Sequence, residues 1–282
     1  MKRIIATLGL GALVFLAAGC SQLRSRYEMN QGIQAYKNRQ YPQAVEHFTT
    51  AVNLDPNNVN GKLYRATAWM IQYTPGAQTA LNKSYADKAR NGFLDVLKDD
   101  AKNERAMDSL AFLCLQEAGS MPNITPQEQD EKNKKLDEAK SWFEKVLAIN
   151  KDNRDAWYSL GVIDWMKWYT PLMNAKSTIG MKIEDPGPIK DKDVRAELRD
   201  KYGAIVDDGI QKLQQALKID KDYDDAMAYL NLLYRERADL AETPEQYKQD
   251  FSTAETYFQN ALKAKQKAQQ KAAQQKQQQP AE

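Results

Sequence analysis

Histidine is nearly missing from this sequence and cysteine scarcely present: one His and two Cys in 282 residues. His47 alone makes no zinc site, and no loop carries the glycine-punctuated ligand spacing of an EF-hand, so no metal is expected. Neither sign of charge is in excess, with 40 Lys and Arg against 38 Asp and Glu. That balance argues against a nucleic-acid partner. Long apolar runs are lacking too. The one candidate, Ile4–Ala18, is too short and wrongly flanked for a spanning helix, and no second one follows it.

What is present begins at that run. Lys2 and Arg3 precede it, and it ends in Leu16-Ala17-Ala18-Gly19-Cys20. The segment resembles the export signal and lipidation box of a bacterial lipoprotein. The resemblance implies a signal peptide over residues 1–19, cleavage before Cys20, a thioether-linked diacylglycerol on its thiol and an acyl chain such as palmitate on the new amino terminus. Several chains at ~0.8 kcal/mol per buried methylene hold a soluble domain firmly on a bilayer. With Cys20 lipidated no intramolecular disulfide is possible, and no other cofactor is expected. Ser21 follows, where Asp would signal inner-membrane retention in the enterobacterial members. The outer membrane is therefore expected, with the chain facing the periplasm, and a cell-membrane anchor is the alternative.

The rest of the chain repeats. Residues 28–56 contain Gly32, Tyr36, Tyr41, Ala44, Phe48, Ala51 and Pro56 at spacings that closely resemble a tetratricopeptide repeat (TPR). In that family the small residues mark close helix approaches, aromatic and Leu side chains fill the gaps, and the proline ends the second helix. A larger side chain at such an approach would push the helix axes beyond their usual ~8–10 Å. Later second helices carry Ala89, Phe93 and Val96; Ala139, Phe143 and Val146; Gly209, Leu213 and Ala216; and Ala254, Phe258 and Ala261. First helices start at Asn60, Ala106, Ala156 and Ala226, and the fourth, with Trp157, Leu160 and Gly161, nearly completes the family pattern. The sequence thus predicts an all-α, TPR-like α-solenoid of five helical hairpins over residues 27–265. Residues 20–26 form a tether, and 266–282 form a Lys/Gln/Ala-rich tail that is either disordered or a fraying continuation of the last helix.

Between its two helices each later hairpin exceeds a ~34-residue period, by about 11 residues in the second and fifth, about 16 in the third and about 36 in the fourth. Part of the excess lengthens helices, with 3.6-residue periodicity over Thr79–Lys98 and Asp193–Lys218. Part is irregular, with turn signals at Tyr73–Gly76, Gly119–Asn123 and Glu184–Pro188. In the fourth hairpin Trp165–Met173 and Ile179–Ile183 give an inserted loop an unusual aromatic and aliphatic density. Packing of that insert on its own hairpins is one reading; a partner or membrane contact is the other.

Nothing points to catalysis, which needs nucleophile, base and orienting group in one pocket. His47 reads as a surface or partly packed side chain. Cys114, within Leu113-Cys114-Leu115, reads as core. Asp99-Asp100, Asp207-Asp208 and Asp224-Asp225 read as turn and capping residues.

The resemblance instead implies a groove lined by the first helices: Tyr64 and Met70; Phe112; Tyr158, Val162, Trp165 and Met166; Tyr229 and Arg235. The family's clamp for a peptide's terminal carboxylate requires Lys, Asn and Arg at these places, and they are absent. The composition suits an amphipathic helix or an extended apolar segment. A non-enzymatic adaptor for envelope proteins, in outer-membrane, pilus, secretion or cell-wall assembly, is the expectation. A carrier or holdase for apolar peptides, or an accessory subunit of an envelope enzyme, is the alternative.

Overall fold

The computed structural model describes residues 21–122, 125–182, 184–185 and 187–278, with side chains to 274. The segment expected to be a signal peptide, residues 1–19, and Cys20 lie outside the described residues. Those residues hold ten helices and no strand: α1 (21–37), α2 (Tyr41–Leu54), α3 (Val59–Met70), α4 (Ala80–Asp99), α5 (Glu104–Ser120), α6 (Pro126–Ile149), α7 (Arg154–Thr178), α8 (Lys192–Ile219), α9 (Asp224–Ala238) and α10 (Pro244–Gln278). The chain is an all-α, TPR-like solenoid fold, in the order expected for five hairpins. It divides into two compact units at residues 122/123, so α5 belongs to the first and α6 to the second.

The helix boundaries follow from a recurrent Asp/Asn turn. Asp100, Asn150 and Asp220 each end a second helix, and their side-chain oxygens accept from the backbone N–H two residues on, at 3.0–3.2 Å. Three residues later an asparagine caps the next first helix: Asn103 accepts from the N–H of Ala106 at 3.1 Å and Asn153 from that of Ala156 at 2.9 Å. Asn58 does the same for α3, accepting from Gly61. The four-residue turn thereby satisfies donors that a helix start leaves open. Tyr223 breaks the pattern, since it precedes α9 without a side-chain cap.

In the first unit Phe48, Phe93, Leu110 and Leu113 are fully buried, as is Cys114. A methyl group on Gly32 would meet the Phe48 ring at 2.5 Å, and one on Gly92 would meet the Ala66 Cβ at 2.8 Å. These are the close approaches expected of small residues. Ser21–Arg26 are not a loose tether: they form the first turns of α1, and the buried Ser25 hydroxyl donates to the Ala51 carbonyl at 2.9 Å. The segment after α3 is held by Asn82, whose side-chain amide accepts from the Thr74 N–H and donates to the Thr74 and Ala77 carbonyls at 2.7–2.9 Å.

In the second unit the core is centred on Trp168, Leu172, Ile189, Leu213 and Leu230. Trp165–Met173 are not a loop. They continue α7 to 25 residues, through Pro171, which removes the ladder bond that the Lys167 carbonyl would accept. Apolar side chains lie all round this helix, the pattern of one buried on most of its circumference. Among the described residues the irregular part shrinks to 179–182, 184–185 and 187–191. There the Ile189 N–H donates to the Asp239 carbonyl at 2.9 Å and the Gly187 N–H to the Tyr247 hydroxyl at 3.1 Å. The insert therefore packs on the α9–α10 turn, which answers the question its apolar density raised. Helices α7 and α8 cross at Gly161 and Gly209; a methyl group on Gly161 would sit 2.5 Å from Leu213 Cγ and 3.1 Å from the Gly209 carbonyl oxygen.

Candidate functional site: an aromatic face on α7 and α9

The groove residues fall into separate sets. In the first unit Tyr64 stacks on Phe48, with centroids 5.6 Å apart, and packs on the α1–α2 core. Met70 is half-buried at the end of α3, and Phe112, on α5, is 45 % exposed. No ring contact joins Tyr64 to Phe112 among those described. In the second unit the residues converge. Tyr158 and Trp165, two turns apart on α7, each meet Tyr229 of α9 edge to face, at 5.7 and 5.3 Å. Tyr223 adds a ring 5.1 Å from Tyr158, and Tyr169 one 4.9 Å from Trp165. All five rings are half-buried; Val162 lies buried on the same helix and Met166 is half-buried.

Arg235 does not join them. Its guanidinium stacks on Phe251, 4.7 Å from the ring centroid, and pairs with Glu255 at 2.9 Å, both on α10. The next residue takes the place: Glu236 Oε1 accepts from the Trp165 indole N–H at 2.9 Å. Burial pushes the Glu236 carboxyl up to about 8, outweighing the Trp165 indole N–H, which favours its charged form. At neutral pH it is mostly a neutral acid. Its Oε2 and the Trp168 Nε1 are both buried without a hydrogen-bond partner. Burial also raises the Tyr158 and Tyr223 phenols, aided by Tyr229, Asp225 and Asp224 for the first and by Asp155 for the second. Each stays a neutral donor across the physiological range.

Around this face lie two buried ion pairs. Lys212 bridges Asp164, at 2.7 Å, and Asp208, at 2.6 Å, and Lys176 meets Asp239 at 2.6 Å. Asp207 and Asp208, expected at a turn, stand within α8, where Asp207 pairs with Arg237 at 2.8 Å. Asp224 and Asp225 do occupy the first turn of α9. His47 holds Glu28 at 2.8 Å, 38 % exposed. Among the described residues no group of three or more His, Cys, Asp or Glu is placed to hold a metal ion, and no helix is long and apolar enough to cross a membrane.

Sequence reasoning reached Tyr158, Trp165 and Tyr229 through the repeat register and missed Tyr169 and Tyr223. The signal for Tyr223 was available. It stands where three other turns carry a capping asparagine, so a residue that forgoes the cap is there for another contact.

Comparison with known proteins agrees with the fold. Residues 199–280 match the family of the plant-specific mitochondrial import receptor subunit TOM20. Among solved structures, a MamA protein superposes with a TM-score of 0.51 at 14 % identity, covering 88 % of this chain and 94 % of that one. MamA from Desulfovibrio magneticus RS-1, residue 41 to the end, gives 0.53 at 14 % identity, covering 86 % and 96 %. YrrB, a TPR protein with an unusual peptide-binding site, gives 0.47 at 12 % identity, covering 85 % and 90 %. No curated protein sequence matches significantly.

Proposed function

We propose that this chain is a lipid-anchored adaptor on the periplasmic side of the outer membrane, using the α7–α9 aromatic face to hold a partner protein in an envelope assembly. The observation that carries the reading is the joining of Tyr158, Trp165 and Tyr229 into one half-buried face. Rings that are rigid, amphipathic and already held in place lose little entropy on docking, and such residues supply most of the energy of many interfaces. The TPR-like fold supports a protein as the partner. The anchor rests on the sequence around Cys20.

Two experiments test the two halves. Cys20→Ser should leave the chain unprocessed and unlipidated; a variant that still enters the membrane fraction at wild-type mass overturns the anchor. Trp165→Ala and Tyr158→Ala should each release a partner captured from membranes while leaving helix content intact. If both variants instead lose several kcal/mol of stability and still capture the partner, the face is core rather than docking surface.

A further inference from the structure

In the first unit the second hairpin carries two cations at positions that are apolar in the third, fourth and fifth hairpins. The residue before Ala111, Gly161 and Asn231 is Leu110, Leu160 and Leu230 in the third, fourth and fifth hairpins, at most 2 % exposed. In the second it is Arg65. Three residues earlier the others have Met107, Trp157 and Met227, and the second has Lys62. The two cations are not treated alike. Lys62 reaches Asp99 at 2.6 Å and Asp95 at 3.5 Å across the hairpin. Arg65, half-buried, has no carboxylate within ion-pair distance among the described residues.

Arg65 looks into a cleft of about 500 Å³ between α3 and α4, rimmed by α2. Trp69 forms an aromatic wall, stacked on Tyr85 at 5.7 Å and covered by the Lys88 ammonium 4.3 Å from its ring centroid. From α4 come Lys88, Asn91, Asp95 and Lys98, spaced by three and four residues along one face. Asp95 is the one acid of the lining, and it is already engaged by Lys62 and, at 3.6 Å, by Lys98. Positive charge is therefore in excess over the cleft.

We propose that this cleft binds an extended acidic peptide segment, with Arg65 taking a carboxylate in its fork and Lys88 and Lys98 taking others further along. Length decides for a peptide over a single anionic group. Lys88 and Lys98 are ten residues apart on α4, about 15 Å at 1.5 Å per residue, which is the reach of four or five extended residues and well beyond one phosphate. Arg65 is the specific element because a guanidinium pairs bidentately with a carboxylate. The site lies in the first unit and shares no residue with the aromatic face of the second, so either can fail without the other.

The test is fluorescence anisotropy of fluorescein-labelled hexaglutamate with the full chain in a neutral detergent at low salt. Hexaglutamate should bind and hexaglutamine should not. Arg65→Leu, which introduces the residue found in the third, fourth and fifth hairpins, should weaken binding at least tenfold while melting no lower than wild type, and Lys88→Gln should weaken it several-fold. Hexaglutamate binding that is absent, or equal in wild type and Arg65→Leu, overturns the proposal. So does Arg65-dependent retention on phosphatidylglycerol vesicles without peptide binding, which would assign the cleft to a lipid headgroup.

Discussion

Raising the pH from 5 to 9 should destabilise the second unit through one carboxyl. Glu236 is 8 % exposed, donates nothing to an acceptor through Oε2, and is held neutral by burial with a pKa of about 8, against 4.5 for an ordinary glutamate. Between those values the folded chain binds a proton that the unfolded chain has released, so stability falls as pH rises through that window and levels off above it. At ~1.4 kcal/mol per unit, the three units between pH 5 and pH 8 amount to about 4 kcal/mol. Glu236→Gln mimics the neutral acid, keeps an acceptor for the Trp165 indole and removes the titration. Urea unfolding read by tryptophan emission reports on the right region, because Trp142, Trp157, Trp165 and Trp168 lie in the second unit and only Trp69 in the first. The variant should match wild type near pH 5 and exceed it by about 4 kcal/mol at pH 9, by the same linkage. Asp164, another raised carboxyl, is common to both proteins and cancels in the difference. Parallel pH profiles for the two proteins would refute the buried neutral glutamate.

Further outcomes follow from the packing. Gly161→Leu should cost ~3 kcal/mol or more, since even a methyl group meets Leu213 at 2.5 Å, and thermal melting would show it. Asn153→Ala removes the cap of α7 and should cost about 1 kcal/mol in urea unfolding. Asp164→Ala leaves the buried Lys212 with the half-exposed Asp208 alone and should cost about 3 kcal/mol, whereas Lys271→Ala, on the exposed tail of α10, should leave the melt unchanged.

Much of the fold was legible because it is written in short-range terms. Small residues at Gly32 and Gly161 announce close crossings, and the Asp/Asn turn announces the starts of α5 and α7 with its own hydrogen bonds. The fourth hairpin was harder. An amphipathic stripe marks a helix with one wet face; α7 has apolar side chains on all sides, so periodicity gave no signal and Trp165–Met173 read as loop. The last hairpin erred in the other direction: Phe258 has the register of a buried gap-filler but is 41 % exposed, because no further helix among the described residues covers it. At the site, register placed Tyr158, Trp165 and Tyr229 on one face. It could not tell Arg235 from Glu236, neighbours that meet different helices, since that depends on Glu255 and Phe251 of α10 as much as on α9 itself.

The central claim is that a partner protein docks on the α7–α9 face, and in-cell photo-crosslinking tests it most directly. A photoreactive amino acid in place of Leu232, 37 % exposed on α9, should give one discrete adduct with an envelope protein on illumination. Trp165→Ala in the same chain should abolish that adduct, while a probe at Leu94 of the first unit, equally exposed, should not produce it. No adduct at Leu232, or one that survives Trp165→Ala, would contradict the account.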